Sequence, residues 1–340
     1  MAIQENNIKC ENCGGNLVFS PAHSSLFCTN CHTQKEIIRT RNNIKHPLDY
    51  KYSNTNINNW KNRNVVYECK NCGGKVILEN LEISSTCPYC NTSVVVKTES
   101  LPEYLPDSII PFKFDKSTAK EMFKAGLKKK WFIPNKLKKT PPESDITGFY
   151  ASAFSFDGVL TVQYSGVLNR DRGQDRGIEK VRVSGTISKV FKDLMIEATA
   201  QLTQSQFEAI GPFSFNDLVD YKEDFVRGFG TEYYNNSIQQ TFAVAKQKMI
   251  MGIEWEILRK HDCDSVDHLT RTNTFSNEQF SYVLLPVYKF NYKYKKKDYC
   301  TMLNGQTGKV GSGYPKSGTK ITFFVGFLLL IVLGIVLIVI

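Results

Sequence analysis

The sequence contains none of the short motifs that mark the common enzyme classes. It has no nucleophile elbow, no helicase motif and no dinucleotide-binding fingerprint. Its nearest approach to a phosphate loop is Gly305–Lys309, where the glycine spacing is short and Val310 stands in the hydroxyl position. A hairpin tip is the better interpretation of this stretch. These absences predict that the chain is not an enzyme.

An apolar leader is also absent, because no hydrophobic run follows the N-terminus, and this excludes a secretory signal. A long apolar run occurs instead at 321–340, which holds seventeen Ile, Leu, Val or Phe residues and no charge. A helix of that length is about 30 Å long and matches a bilayer core. Lys309, Lys316 and Lys320 precede it. The positive-inside rule then predicts a tail-anchored, single-pass protein of the cell membrane, with 1–320 in the cytoplasm. The alternative is a helix buried in a large core.

Acidic residues are fewer than basic ones. The chain has 33 Asp and Glu and 43 Lys and Arg, which gives a net charge of +10. The excess is spread along the chain, since residues 1–100 contribute 11 − 8 = +3 and the remainder 32 − 25 = +7. Such a mild, distributed charge suits nucleic acid or an anionic membrane surface and does not choose between them.

Cysteine is plentiful, and eight of the ten cysteines form two units with the same spacing, CxxC, fourteen residues, CxxC. A CxxC turn brings two thiolates to one cation, and two such turns complete a tetrahedral four-cysteine site. Disulfides are the alternative, which a reducing compartment disfavours. The spacing therefore predicts two zinc ribbons and two Zn²⁺ ions per chain. The expected ligands are Cys10, Cys13, Cys28 and Cys31 in the first ribbon, and Cys69, Cys72, Cys87 and Cys90 in the second.

The two units are duplicates. The text CENCGGNLVF at 10–19 nearly repeats as CKNCGGKVIL at 69–78. Gly14 and Gly73 follow the second cysteine of each repeat, where positive φ turns backbone N–H groups toward the sulfurs. A unit this small cannot build a core, so the metal is expected to supply its folding energy.

The rest of the chain predicts an α+β domain with an antiparallel sheet, following two small β-rich zinc-ribbon modules. The predicted boundaries are zinc ribbon 1 at 1–40, an asparagine-rich flexible linker at 41–64, zinc ribbon 2 at 65–98, the α+β domain at 99–312, a basic juxtamembrane linker at 313–320 and a transmembrane helix at 321–340. The capping boxes Thr118-x-x-Glu121 and Ser237-x-x-Gln240 predict two helix starts. The alternating stretch 148–166 predicts a hairpin with its turn at Asp157-Gly158.

Two further clusters have weaker patterns. The basic–aromatic patch Lys128–Lys139 could contact phosphates of lipid or nucleic acid, but a solvated helix end is the favoured interpretation. The residues His261, Asp262, Cys263, Asp264, Asp267 and His268 could hold a metal but lack regular ligand spacing, which favours an ordinary helix end. Cys300 is expected to be a small core residue.

Several longer phrases identify a family resemblance. They are IIPFKFDKSTAKEMFKAGLKKKWFIP, ITGFYASAFSFD, LLPVYKFNYKYKKKDYCTMLNGQTGKV and the twin CxxCGG repeats. In order and spacing they resemble the bacterial TFIIB-type zinc-ribbon-containing membrane proteins, often labelled primosomal or replication-restart proteins. This chain has none of the ATPase motifs that such a label requires. The resemblance implies a phage-shock-type envelope-stress role with an SPFH-domain (flotillin-like) protein as partner.

The sequence thus leads to a ranked set of functions. The first is a tail-anchored, cytoplasm-facing adaptor whose ribbons recruit a protein partner to the membrane. The second is a nucleic-acid-binding protein held at the membrane, and the third is an enzyme that uses His261–His268. The charge of only +3 over residues 1–100 and the few aromatic residues there favour the first over the second.

Overall fold

The structure of the chain is a computed structural model that describes residues 9–51, 64–71, 73–79, 84–87, 93–95, 104–139, 145–173, 177–199 and 201–339. The strands are β1 Leu17–Ser20, β2 Ser25–Cys28, β3 Gln34–Lys35, β4 His46–Pro47, β5 Asn64–Glu68, β6 Lys75–Glu79, β7 Ser84–Thr86, β8 Ser93–Val95, β9 Ser108–Ile109, β10 Asp145–Asp171, β11 Ile178–Glu197, β12 Val219–Asp220, β13 Gly230–Glu232, β14 Ser265–Tyr294 and β15 Lys297–Asn304. The helices are α1 Lys116–Lys129, α2 Asn135–Lys139, α3 Gln204–Ile210, α4 Ile238–Lys260 and α5 Gly318–Val339.

Three very long strands form the centre of the molecule. β10 pairs antiparallel with β14 along one edge and with β11 along most of the other. Shorter strands complete a ten-stranded sheet of order β12-β9-β14-β10-β13-β6-β5, with β4 and β15 also on β14. The β9–β14 and β10–β13 pairs are parallel, so the sheet is mixed.

The centre of β10 is buried on both faces, which explains its continuous run of mainly apolar residues. One face carries large aromatic side chains that interlock with those of β14, and α4 covers it; for example, Phe156 packs against Phe242 at 5.2 Å between ring centroids. The other face carries Phe149 and the smaller residues Ala151 and Ala153, and it packs against α3 and its flanking loops. Burial of these residues is the main source of stability.

The predicted fold class is wrong in its division into separate modules. The molecule is mainly β, with five helices among the described residues. The hairpin β5–β6 of the second cysteine unit is not a free ribbon, because β6 pairs with β13 and so extends the central sheet. Long-range strand pairing of this kind overrides the local pattern that suggested an independent module.

The predicted hairpin at Asp157-Gly158 is also wrong, because β10 runs straight through this pair. Both neighbours of β10 shift register there: β11 inserts one extra residue opposite Asp157, and β14 inserts one opposite Gly158. The inserted segments contain Asp193 and Asn277, whose φ values of 54° and 53° are those of a bulge. Two bulges, rather than a turn, therefore accommodate the polar residues in the strand.

The helix starts agree with the sequence in one case out of two. Ser237 and Gln240 form the predicted capping box at the start of α4. The start of α1 differs, since Asp115 caps it by accepting the backbone N–H of Thr118 at 2.8 Å. The helix therefore begins three residues earlier than predicted, and Thr118 lies in its first turn.

The prediction of a transmembrane helix at 321–340, and with it the predicted place in the cell membrane, is contradicted. In the part of the chain that the structure describes, no helix is both long and apolar enough to cross a bilayer. Ile340 and the side chains of 333 and 335–339 lie outside the described residues.

The start of α5 is attached to the basic–aromatic patch. Phe324 packs edge-on against Trp131 and Phe132, with ring centroids 5.8 and 5.5 Å apart. Lys320 donates hydrogen bonds to the backbone carbonyls of Trp131 and Ile133. Part of the patch therefore serves as a support for this helix, while Trp131 remains 66% exposed.

Gly166 should be intolerant of any side chain. A Cβ there would lie 2.0 Å from the backbone carbonyl oxygen of His268 on β14, which cannot move without breaking the ladder. We expect Gly166→Ala to lower the free energy of unfolding by about 2–3 kcal/mol in urea titrations. Gly158→Ala is the matched control on the same strand, because its Cβ would meet nothing closer than 3.6 Å. Equal stability of the two variants would contradict the strand pairing described here.

Candidate metal centre

The first cysteine unit folds as two facing turns. In the first turn, Gly14 donates its N–H to the Cys10 carbonyl at 2.8 Å, and its φ of +70° is the left-handed value that the sequence predicted. In the second turn, His32 donates to the Cys28 carbonyl at 3.1 Å with a φ of 62°. The second turn thus uses a histidine where the first uses a glycine, at a modest conformational cost.

The four sulfurs of this unit converge. Cys10 Sγ lies 3.5 Å from Cys31 Sγ, and Cys13 Sγ lies 3.5 Å from Cys28 Sγ. All four sulfurs lie within 4.8 Å of one another, and the cysteines are free thiols. This group could hold one metal ion, as predicted for the first unit.

Hydrogen bonds to the sulfurs shift their acidity in different directions. The hydroxyl and backbone N–H of Thr33 lower the pKa of the Cys31 thiol to about 5. Backbone N–H groups of Cys31 and Asn30 lower the pKa of Cys28. The Gly15 N–H also lowers the pKa of Cys13, but the neighbouring thiols outweigh it and raise that pKa to about 12. N–H groups aimed at sulfur are the surroundings that orient thiolate ligands.

The inner face of this ribbon is part of the main core. Phe19 on β1 packs edge-on against Phe225 at 5.6 Å, and its N–H donates to the Arg227 carbonyl at 3.0 Å. Cys10, Cys28 and Leu26 belong to the same hydrophobic cluster as the central sheet. The site is therefore held on a rigid support rather than on a mobile arm.

The outer face of the ribbon carries three rings, with Phe27 in contact with a histidine on each side. Phe27 on β2 lies parallel to His23 at 5.3 Å between centroids and meets His32 edge-on at 5.4 Å. Both histidines are exposed. Because side chains alternate along a strand, Phe27 must point away from the face that Leu26 buries. We call His23, Phe27 and His32 the outer aromatic face. No sequence pattern marks these residues, because their proximity depends on the second turn.

The second cysteine unit repeats the first turn at the backbone level. Gly73 donates to the Cys69 carbonyl at 2.7 Å and has a φ of +70°, the same values as its counterpart within 0.1 Å. Cys69 and Cys87 are buried. Cys72 and Cys90 lie outside the described residues, so the second metal site stays a prediction. Within the described ranges the first unit forms the one four-cysteine group.

The other predicted clusters do not assemble a metal site among the described residues. His261 ends α4, and its Nε2 lies 2.9 Å from the Tyr164 hydroxyl. His268 lies on β14, where its Nε2 is 3.4 Å from Thr270 Oγ1. In the stretch Gly305–Lys309, Gly308 donates its N–H to the Asn304 carbonyl at 2.9 Å, which makes it a turn after β15.

The predicted flexible linker is partly ordered. Asn42 donates both its backbone and side-chain N–H groups to Asp220, at 2.8 and 2.6 Å. Lys45 and His46 contact the central sheet, and β4 pairs with β14. Residues 52–63 lie outside the described residues.

The chain is distantly similar to an uncharacterised bacterial protein. No protein-family model matches the chain, and no solved structure matches it. The chain is 26% identical over 327 residues to the uncharacterised protein YdjG of Bacillus subtilis (strain 168), and the match covers 92% of this chain and 91% of that protein. The similarity therefore extends over nearly the full length of both chains.

Proposed function

We propose that the chain is a zinc-ribbon adaptor, in which a four-cysteine module built onto a mainly β body binds a protein partner. Zinc is the metal that fits best. Four thiolates around Zn²⁺ at about 2.3 Å place neighbouring sulfurs ~3.8 Å apart, close to the 3.5 Å separations of Cys10–Cys31 and Cys13–Cys28. Four-thiolate zinc leaves no position for water or substrate, which is typical of structural sites.

The outer aromatic face is the observation that carries the proposal. The ribbon buries its inner face against the body, while its outer face holds the half-buried Phe27 ring between the exposed rings of His23 and His32. Rigid aromatic groups with polar edges dominate the energy of many protein interfaces. Because the ribbon is fixed to the body, these rings are pre-organised and binding does not have to order them.

Nucleic-acid binding is the second candidate, since exposed rings can also stack on bases. The charges near the rings support it less well. Residues 9–41 contain four Lys or Arg and two Glu, a net of +2. Lys35 pairs with Glu11 at 3.0 Å, and Arg39 donates to the Ser24 carbonyl while lying over the Phe225 ring. Few of these cations remain for phosphates.

The family resemblance supplies the first partner to test, an SPFH-domain protein from the same genome. We expect Phe27→Ala to weaken the binding of that protein to the immobilised full-length chain by about 30-fold, the usual loss at an aromatic hot spot. Biolayer interferometry measures this directly. Zinc content should be unchanged, because Phe27 is not a ligand.

Trp255→Ala is the matched control. Trp255 is 73% exposed on α4, so its loss removes an exposed aromatic from a different surface. A loss of binding with Trp255→Ala but not with Phe27→Ala would refute the outer aromatic face as the contact. Sub-micromolar binding of random oligonucleotides at about 150 mM salt would favour the nucleic-acid alternative, because non-specific contacts reach only roughly 10⁻⁴–10⁻⁶ M there.

A further inference from the structure

A small polar cavity opens where the two bulges flank β10. Its volume is about 230 Å³. Ser155 and Asp157 on β10 and Ser281 and Val283 on β14 line its floor. Residues 41–45 and the Lys192–Asp193 bulge of β11 form its walls. We call this cavity the Lys45 pocket. Bulges of this kind are frequent next to binding sites, because they turn side chains away from the regular pleat.

The ammonium group of Lys45 joins the lining residues of the pocket through three hydrogen bonds. It donates to Ser155 Oγ at 3.1 Å, Asp157 Oδ1 at 2.9 Å and Asp193 Oδ1 at 2.9 Å. An ammonium group has three protons, so these bonds use all of them. Asp157 also accepts the backbone N–H of Asp193 at 2.7 Å. The protein itself thus supplies hydrogen-bond donors to both carboxylates, and the single Lys45 charge offsets one of their two negative charges.

Two cations at the mouth are not neutralised. Arg41 and Lys192 are exposed pocket residues, and neither forms an ion pair within the described ranges. Arg41 donates only to the Asn43 side chain, at 3.0 Å. The five charged lining residues, three basic and two acidic, leave a net charge of +1. A pocket with a net positive charge and two cations outside any ion pair at its mouth attracts an anion.

A buried hydroxyl at the floor lacks a partner. Ser281 is 2% exposed, and its Oγ makes no hydrogen bond to any residue that the structure describes. Ser281 lies directly opposite Ser155 in the β10–β14 register, so both side chains project from the same face of the sheet. Ser155 bonds to Lys45 on that face. A buried hydroxyl without a partner destabilises the folded protein, and a ligand oxygen in the pocket would supply the missing hydrogen bond.

From these features we infer that the Lys45 pocket binds a small hydroxylated organic anion. Its carboxylate or phosphate group would meet Arg41 and Lys192, and an oxygen at the other end would bond to Ser281. The cavity of about 230 Å³ holds the equivalent of roughly eight water molecules, which limits the ligand to a three- or four-carbon compound. This site is separate from the four-cysteine centre and does not depend on the proposed adaptor function.

Isothermal titration of the full-length chain with four probes tests the inference. Glycerate and glycerol 3-phosphate carry the two candidate anionic groups, while glycerol lacks the charge and inorganic phosphate lacks the carbon chain. We expect one of the first two to bind at one site per chain at least tenfold more tightly than glycerol or phosphate, because charge-assisted hydrogen bonds are the strong ones. Whichever anion binds identifies the group. Equal or absent binding of all four probes would overturn the inference.

Variants separate this site from non-specific charge. Arg41→Ala combined with Lys192→Ala should weaken binding of the preferred anion about tenfold or more. The matched control is Arg182→Ala with Lys296→Ala, which removes the same charge from exposed positions outside the pocket. Ser281→Ala should weaken binding yet leave the melting temperature unchanged or higher, because it removes an unpartnered buried group. Equal losses in the pocket and control variants, or a melting temperature lowered by Ser281→Ala, would refute the assignment.

Discussion

Cys13→Ser is expected to remove about one metal equivalent per chain and to unfold the first ribbon. The reason is that a four-thiolate site is no longer fully coordinated once one of its ligands is lost. Structural zinc contributes on the order of 10 kcal/mol to such a module, far more than a ribbon of this size can gain from its own apolar contacts. Cys13 is the exposed member of the group, so its replacement removes a ligand without opening a cavity. Elemental analysis and limited proteolysis between residues 9 and 35 measure the two effects.

Cys263→Ser is the control for that experiment. Cys263 is also a free thiol, and its Sγ donates a hydrogen bond to the His261 carbonyl at 3.4 Å. We expect it to leave both the metal content and the proteolytic pattern unchanged. Full metal content in the Cys13 variant, or equal loss in the Cys263 variant, would show that the sulfurs described here do not hold the metal.

Phe225→Ala is expected to lower the free energy of unfolding by about 3–5 kcal/mol, the usual cost of deleting a fully buried phenyl ring. Phe225 is 0% exposed and joins the body to the ribbon through its edge-on contact with Phe19. The loss should therefore appear in both parts. In hydrogen exchange, the Phe19 N–H, which donates to the Arg227 carbonyl, should lose protection together with the adjacent residues of β1.

Phe207→Ala provides the comparison. Phe207 on α3 is also buried, but it belongs to the cluster on the opposite face of the sheet, remote from the first ribbon. It should destabilise the body by a similar amount while leaving sub-global exchange in β1 unaffected. If Phe225→Ala left the ribbon amides equally protected, the ribbon would be an independently folding module, as the sequence alone had predicted.

In the second cysteine unit, the local sequence pattern predicts the turn but not the strand pairing. Its first turn has the predicted geometry. Gly73 donates to the Cys69 carbonyl as Gly14 donates to the Cys10 carbonyl, and the two glycines have the same φ. Yet the strand that leaves this turn pairs with β13, whose partner residues Thr231 and Glu232 lie far away in the chain. No spacing within residues 65–98 encodes that partner, because strand pairing depends on which edges are free in the folded sheet.

The Asp157-Gly158 pair provides a second case. Taken locally, an Asp-Gly flanked by alternating residues is a strong hairpin signal. In the structure the Asp157 carboxylate accepts hydrogen bonds from Lys45 and from the Asp193 backbone. These partners lie 112 and 36 residues away. Together with the two bulges they hold the chain extended, so an interaction across the molecule replaces the local turn.

Sequence pattern alone predicted the features that close within a few residues: the CxxC turns, their positive-φ glycines, the duplication and the capping box of α4. Their hydrogen bonds join neighbours in the chain, and pattern is sufficient to specify them. The tertiary structure alone decided that the first ribbon packs into the core through Phe19, that the second extends the sheet, and that Lys45, Ser155 and Ser281 meet in one pocket. Those contacts join distant segments, and their energy exists only once burial of the central strands has brought the segments together.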